Sequence, residues 1–143
     1  LIVGECYEDV NKYLSLINRY ELNHLITFVD KYVSNEEVSN YFSCSDVVVL
    51  PYKTASQSGV IQIAYNFDIP IVTTDVGGLS EYINDGSTGI LVESNSPVQL
   101  SKILYDNLNN NYFEQFSDNI RDYKKKFSWE YFIQGIDEII ADL

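Results

Sequence analysis

One stretch decides the fold of this chain: residues 46–81, which read DVVVLPYKTASQSGVIQIAYNFDIPIVTTDVGGLSE. It begins with residues 46–50, a nearly continuous apolar run of the kind found in parallel strands that helices cover on both faces. From residue 58 onward apolar residues recur at helical spacing, and residues 70–74 form a second apolar run. The stretch therefore predicts a strand, a loop, a helix and another strand.

The loop between the first strand and the helix, residues 53–59, has the sequence Lys-Thr-Ala-Ser-Gln-Ser-Gly. A helix that opens after serine and glycine presents unpaired backbone N–H groups and the positive end of the helix dipole, which together suit a phosphate group. Nucleotide binding is therefore the first hypothesis for this loop. The alternative is an ordinary helix N-cap turn without a ligand.

Strand-like and helix-like segments alternate along the rest of the chain. Short apolar runs at residues 1–4, 26–29 and 89–92 predict three further strands, and helical spacing of apolar residues recurs at 10–17 and 34–42. This order predicts an α/β fold, a Rossmann-like, doubly wound parallel sheet with helices on both faces. We expect strand 46–50 at the centre of the sheet and the ligand beyond the carboxyl ends of the strands.

The last third of the chain predicts helices. Ser96 and Ser128 stand at N-cap positions, and the asparagine-rich run at residues 107–112 predicts a helix break. The apolar faces of the first and last of these helices are expected to be Leu100, Ile103, Leu104 and Leu108, and Phe132, Ile136, Ile139, Ile140 and Leu143.

Length and charge restrict the function classes. The 143 residues fit a single domain with 45% hydrophobic content, and the net charge of −12 argues against a nucleic-acid partner. No apolar run approaches the ~20 residues of a membrane span, and the first residues do not resemble a signal peptide, so we expect a cytoplasmic protein. The chain has no Met and opens on an apolar run, which predicts a fragment of a longer protein.

Three segments carry a resemblance to a known family. Residues 47–52, 56–65 and 69–81 resemble the nucleotide-sugar-binding, C-terminal half of family 4 retaining glycosyltransferases, which have the two-domain GT-B fold. The turn and strand at residues 84–92 and the Phe-Ser-Trp-Glu segment at residues 127–130 are similar to the family as well. The resemblance implies one nucleotide-sugar-binding domain over residues 1–143. It also implies transfer of a sugar, with retention, to a saccharide or lipid-linked acceptor, in the hexosyltransferase class and in polysaccharide biosynthesis.

The resemblance also implies the site residues. The donor diphosphate would lie against Ser58 and Gly59 at the helix start, and the complete set of first candidates is Lys53, Ser56, Gln57, Ser58, Gly59 and Gln62. The family motif has two glutamates eight positions apart, which here fall on Thr54 and Gln62. An amide can still hydrogen-bond a ribose hydroxyl, as Gln62 would do. Second candidates are Thr54, Tyr32, Gly77, Gly78 and Glu81, of which Tyr32 stands where the family has a base-binding loop.

The implied partners lie largely outside this chain. They are the nucleotide-sugar donor and an N-terminal, acceptor-binding domain, which would also make any membrane contact. The family's Arg and Lys that neutralise the diphosphate fall ahead of Leu1, so we expect the fragment alone to be inactive. The family is described as metal-free. Neither a cofactor nor a metal site is therefore expected, and one histidine with two cysteines offers no zinc set.

Two alternatives stay open from the residues. A non-catalytic nucleotide-binding or regulatory module of the same fold would tolerate Thr54 and Gln62 in place of the two acids. A sugar-nucleotide epimerase on the same architecture is the third hypothesis, although this chain lacks the acids and histidine expected in its cleft. For Gly77 and Gly78 the alternative to a ligand contact is a tight turn, and for Glu81 it is a favourable interaction with a helix dipole.

Overall fold

The computed structural model describes residues 1–141. The chain divides into two compact units, Leu1–Tyr41 and the residues from Phe42 onward, which we describe separately. That residues 1–143 form one nucleotide-sugar-binding domain stays a prediction.

The first unit contains two short parallel strands and their helices. Strand β1 (Ile2–Val3) pairs with β2 (Phe28–Val29), with Ile2 opposite Phe28, and helix α1 (Asn11–Arg19) connects them. Helix α2 (Asn35–Ser43) follows and ends in the second unit. At its start the backbone N–H and the hydroxyl of Ser34 both donate to the Glu37 carboxylate, each at 3.4 Å. Ser34 and Glu37 therefore form one half of a capping box.

The second unit is built on a three-stranded parallel sheet in the order β3 (Val48–Leu50), β4 (Ile71–Thr74) and β5 (Gly89–Val92). Val49 lies opposite Val72, and Val72 lies opposite Ile90. The centre of this sheet is β4, whose four residues are all buried, so the prediction that residues 46–50 form the central strand is wrong for this sheet. Val48 and Val49 are only half-buried because β3 pairs with β4 on one side.

Four helices and three short 3₁₀ segments complete the described part of the second unit. The helices are α3 (Gly59–Asn66), α4 (Pro97–Asn109), α5 (Phe116–Tyr123) and α6 (Trp129–Ala141). The 3₁₀ segments are Leu79–Tyr82, Tyr112–Gln115 and Lys124–Phe127. Helices lie on both sides of parallel strands, which confirms the predicted Rossmann-like α/β class. In the described part of the chain, every helix is too short or too polar to cross a bilayer.

The core of the second unit lies between α3, β4 and α5. Its fully buried members include Ile61 and Tyr65 on α3, Ile71 and Val72 on β4, and Ile120 on α5. Burying an aliphatic or aromatic side chain of this size stabilises the fold by about 1.5–3 kcal/mol. The core therefore fixes the start of α3 and the end of β4 relative to each other.

The apolar faces predicted for the last helices are only partly buried. Leu100, Ile103 and Leu104 pack against the core. Leu108 is 47% exposed because it lies in the last turn of α4, close to Asn111, whose left-handed φ of 51° follows the end of the helix. On α6 the predicted stripe of Phe132, Ile136, Ile139 and Ile140 is exposed, and Leu143 lies outside the described residues. Amphipathic spacing identified an apolar face of α6 that is more than 40% exposed at each of these four residues.

Candidate functional site: the carboxyl edge of the second sheet

Two loops meet where β3 and β4 end. Because the strands are parallel, the residues after Leu50 and after Thr74 emerge at the same edge of the sheet. The Thr74 hydroxyl donates to the Tyr52 carbonyl at 2.6 Å, and the Thr73 hydroxyl donates to the Leu50 carbonyl at 3.1 Å. These bonds fasten the end of β3 and the residue before the predicted phosphate loop to the central strand.

Gly77 and Gly78 pack directly against the middle of that loop. The backbone N–H of Gly78 donates to the Ser56 carbonyl at 3.3 Å. A Cβ atom on Gly78 would lie 2.7 Å from that same oxygen, and one on Gly77 would overlap the Ala55 carbonyl. Gly77 also has a left-handed φ of 57°, which favours glycine. Both glycines are therefore required for a close approach of two backbones, and the Gly78 N–H is already used in holding the loop.

The start of α3 is left without a side-chain cap. Ser58 has the extended backbone of an N-cap residue, but its hydroxyl lies 3.2 Å from the Tyr52 hydroxyl and makes no capping bond. The N–H groups of Gly59 and Val60 lie in the first turn, where a helix offers them no acceptor. A Cβ on Gly59 would meet no atom within 4 Å, so the space beside this residue is open. The arrangement can accept an anion at the helix start.

The structure brings most of the candidate residues together at this edge. Lys53, Thr54, Ser56 and Gln57 are exposed on the loop, and Gln62 is half-buried one turn into α3. Glu81 is exposed in the following 3₁₀ segment, and its carboxyl carbon lies 3.9 Å from the Cβ position of Gly78. Tyr32 belongs to the other unit, where its side chain is 73% exposed. The ligand contacts assigned to all of these residues stay predictions.

A small cavity opens beside Lys53 at the same edge. Its volume is ≈ 140 Å³, and Lys53, Thr74 and the segment after β5 line it, including Glu93, Asn95 and Ser96. None of these three residues was among the site residues predicted from the sequence. The signal was present, because residues that follow a predicted parallel strand belong to the carboxyl edge, and residues 93–96 follow β5.

The chemistry of the described residues is that of hydrogen bonding and charge. Among residues 1–141 no cluster of three His, Cys, Asp or Glu side chains could hold a metal ion. Lys53 is the cation on the loop, and the uncapped N–H groups of α3 supply partial positive charge. These groups can bind and orient a phosphorylated ligand.

Comparison with solved structures finds chains of the same fold. The chain superimposes on HepE from Anabaena, solved in complex with UDP-glucose, with a TM-score of 0.79 at 19% identity, over 99% of this chain and 40% of that one. It also matches the C-terminal domain of a glycosyl transferase group 1 family protein, LpcC from Francisella tularensis, with a TM-score of 0.72 at 21% identity, over 82% of this chain and 62% of that one. These likenesses confirm the predicted Rossmann-like α/β fold of this chain.

Sequence comparison identifies the family. The uncharacterized glycosyltransferase MJ1178 of Methanocaldococcus jannaschii is 27% identical over 141 residues, which are 98% of this chain and 39% of that protein. The chain thus spans about two fifths of this relative. The family model described as glycosyl transferases group 1 matches residues 1–110. This chain belongs to the glycosyl transferases group 1 family.

Proposed function

We propose that the full-length protein containing this chain transfers a sugar, with retention, from a nucleotide-sugar to a saccharide or lipid-linked acceptor, and that this chain holds the donor. The observation that carries the proposal is the uncapped start of α3, which directly follows the loop that contains Lys53 and Ser56 and has open space beside Gly59. Family membership and the UDP-glucose complex of HepE support the same function.

In this proposal the diphosphate lies against the N–H groups of Gly59 and Val60 and the hydroxyl of Ser58. Lys53 approaches the phosphates or the sugar from the loop, and the Gln62 amide hydrogen-bonds a ribose hydroxyl. Gly77 and Gly78 act by holding the loop, since their close approach to Ala55 and Ser56 leaves no room for a ligand between them.

The reaction proposed for the whole protein is a metal-free, front-face displacement in which the diphosphate leaves. Donors aimed at the leaving diphosphate lower the barrier because they stabilise the charge that develops on it. This chain supplies the α3 N–H groups and Lys53. An N-terminal domain supplies the acceptor site and the remaining cations, and it makes any membrane contact. We place the enzyme in the cytoplasm, in the hexosyltransferase class and in polysaccharide biosynthesis.

One observation favours a second candidate, a nucleotide-binding module without catalysis. Thr54 and Gln62 stand where the family motif has carboxylates. Thr54 is exposed and has a short side chain, so it is a poor substitute for an acid that contacts the sugar. A module that binds the nucleotide and does not turn over would tolerate both replacements.

Calorimetric titration of the full-length protein with UDP, GDP and ADP, and with their glucose conjugates, tests the proposal. One nucleotide should bind saturably, and Gly59→Asp should weaken it by about tenfold or more because a carboxylate repels the phosphate at the helix start. Gly59→Ala is the matched control. It adds a methyl group in the same open space without charge and should bind within about threefold of the wild type.

Two outcomes separate the candidates. Binding together with release of UDP, GDP or ADP from the sugar conjugate in the presence of an acceptor mixture supports the transferase, whereas binding without any turnover supports the module. Absence of binding by every nucleotide in the full-length protein would contradict both.

A further inference from the structure

A larger cavity lies at the opposite edge of the same sheet. Its volume is ≈ 460 Å³, within the range of about 300–1,000 Å³ that is typical of small-molecule sites. Asp46 lines it just before β3, residues 67–70 line it just before β4, and the end of α4 and the face of α5 close the other side. The cavity therefore opens at the amino ends of the strands. We call it the amino-edge cavity.

Polar groups of both kinds converge on this cavity. No group within residues 1–141 donates a hydrogen bond to, or forms an ion pair with, the Asp46 or Glu114 carboxylate, so the oxygens of both are available as acceptors. Arg121 donates through Nε to Asp68 at 3.1 Å and through Nη1 to Asp118 at 2.7 Å, which leaves its Nη2 group without a partner in the described chain. Ser117 adds a hydroxyl that can both donate and accept.

The arginine in this cavity is held in place. Asp68 accepts from Arg121 and also from the Lys124 ammonium at 2.7 Å, and that ammonium donates to the Tyr65 carbonyl at 3.1 Å. Burial alone raises the pKa of Asp68, but the hydrogen bonds from Lys124 and Arg121 outweigh burial and lower the pKa below its ordinary value. The carboxylate thus stays ionised and fixes the guanidinium on the cavity wall.

Apolar surface lines the cavity as well. The Phe67 ring is 36% exposed, and its centroid lies 5.7 Å from that of Phe42 in a stacked arrangement that fixes its orientation. Leu108 is 47% exposed at the end of α4. A flat, half-exposed ring beside hydrogen-bonding groups can cover the C–H face of a ligand while those groups bind its edge.

The charge of the cavity argues against a purely ionic ligand. Among the residues that line it, Asp46, Asp68 and Glu114 carry three negative charges and Arg121 carries one positive charge, which leaves a net charge of −2. Such a wall repels a phosphate, and it attracts a cation only weakly because the Asp46 and Glu114 carboxylates are exposed to water. Donors and acceptors placed side by side match hydroxyl groups, each of which donates one hydrogen bond and accepts others.

We propose that the amino-edge cavity is a saccharide-binding site, separate from the donor site, in which Asp46, Glu114 and Arg121 bind the hydroxyl groups of a neutral sugar and Phe67 covers its apolar face. The inference goes beyond the proposed transfer reaction and does not depend on it. A mono- or disaccharide unit fits a cavity of this volume.

Hydrogen-exchange mass spectrometry on the full-length protein tests this site, with maltose and cellobiose added separately at millimolar concentration and spermidine as the cationic comparison. One of the two sugars should slow exchange in peptides covering residues 67–70 and 107–121. The double variant Asp46→Ala with Glu114→Ala should raise the apparent dissociation constant of that sugar about tenfold or more. The reason is that each sugar hydroxyl loses a hydrogen bond to a charged carboxylate, and such bonds contribute to the free energy of binding.

Matched variants keep the test specific. Ser117→Tyr should abolish the protection by filling the cavity, whereas Asp137→Ala removes an exposed carboxylate on α6 and should leave it unchanged. If another cavity variant lowers the melting temperature, Glu114→Ala alone replaces it in the binding test. The Glu114 side chain is exposed, so its removal should leave the fold intact. The proposal is overturned if neither sugar protects these peptides, if spermidine alone protects them, or if the cavity variants bind sugar as the wild type does.

Discussion

A Cβ atom on Gly77 would overlap the carbonyl oxygen of Ala55, so the turn after β4 and the loop before α3 touch backbone to backbone. Neither segment can move away freely, because Gly78 donates to Ser56 and Thr74 donates to Tyr52 on either side of that contact. The shape of the candidate phosphate loop is therefore determined by residues that follow it by one helix and one strand.

Gly77→Ala should destabilise the protein and weaken nucleotide binding together. The methyl group would push the loop away at Ala55, and alanine would also be strained at a φ of 57°. Strain of this kind costs about 1–3 kcal/mol, and the overlap adds to it. Gly86→Ala is the control, since its φ of 73° carries the same strain while no atom lies within 4 Å of the new Cβ. Thermal unfolding and UDP titration of both variants measure the difference. Equal losses in the two would show that the contact with Ala55 does not matter.

The Tyr52–Ser58 contact should appear as a coupling in a double-mutant cycle. The two hydroxyls lie 3.2 Å apart and are half-buried, so Tyr52→Phe and Ser58→Ala should each lower the free energy of unfolding by about 0.5–1 kcal/mol. The double variant should lose less than the sum of the two. Urea unfolding of the four proteins gives these values. If Ser58→Ala lowers the free energy of unfolding by the expected amount but shows no coupling to Tyr52→Phe, Ser58 instead caps α3 in solution.

Tyr65→Phe should be one of the more damaging single-atom deletions. The Tyr65 hydroxyl donates to the Tyr82 carbonyl at 2.9 Å and lies 2.9 Å from the Thr88 hydroxyl, which accepts from the Asn84 N–H at 3.0 Å. Because the phenolic proton goes to Tyr82, Thr88 donates to Tyr65, and one chain of hydrogen bonds ties α3 to the turn before β5. Burial raises the pKa of Tyr65, so the hydroxyl stays protonated.

Removing that hydroxyl leaves buried acceptors and donors unpaired, and the free energy of unfolding should fall by about 1–3 kcal/mol. Tyr105→Phe is the control, because Tyr105 is 71% exposed on α4 and its loss should stay within about 0.5 kcal/mol. Chemical unfolding measures both variants. Equal losses in the two would contradict the structural role of the chain through Thr88.

Asp68 should make stability depend on acid pH. Burial opposes its ionisation, but hydrogen bonds from Lys124 and Arg121 lower its pKa in the folded state below the ordinary 3.8. A lowered folded pKa stabilises the protein fully above the unfolded pKa, and this stabilisation is lost as pH falls through the folded pKa. The free energy of unfolding of the wild type should therefore exceed that of Asp68→Asn by about 0.5–1 kcal/mol at neutral pH, and this difference should shrink below about pH 4.

Asparagine suits this test because it tolerates the left-handed φ of 58° at position 68. Melting temperatures of the two proteins between pH 7 and strongly acid conditions provide the measurement. A difference that does not change with pH would show that the ion pairs with Lys124 and Arg121 do not form in solution.

The sequence predicted the elements of this fold because the periodicity and the caps are local. The strands at residues 48–50 and 71–74 and the helix between them lie where apolar spacing indicated. Ser128 accepts the predicted capping bond from the N–H of Tyr131 at 3.2 Å. The family resemblance also led to the correct family, since residues 47–81 carry its most specific motifs.

Tertiary relationships were not predictable from the same signals. An apolar run indicates that a strand is covered on both faces, but it does not indicate which strands lie beside it. For this reason the sequence predicted β3 as the central strand, whereas the centre of the second sheet is β4. The amphipathic pattern of α6 indicated its apolar face without indicating what covers it. The amino-edge cavity combines residues from four separate segments, and no motif in the sequence links them.

The contact of Gly77 and Gly78 with Ala55 and Ser56 also has a consequence for protein engineering. A graft of residues 53–59 onto another α/β scaffold would carry the letters of the loop without the backbone that shapes it. The smallest transferable segment runs from Leu50 through Gly78, because it must include α3, β4 and the two glycines.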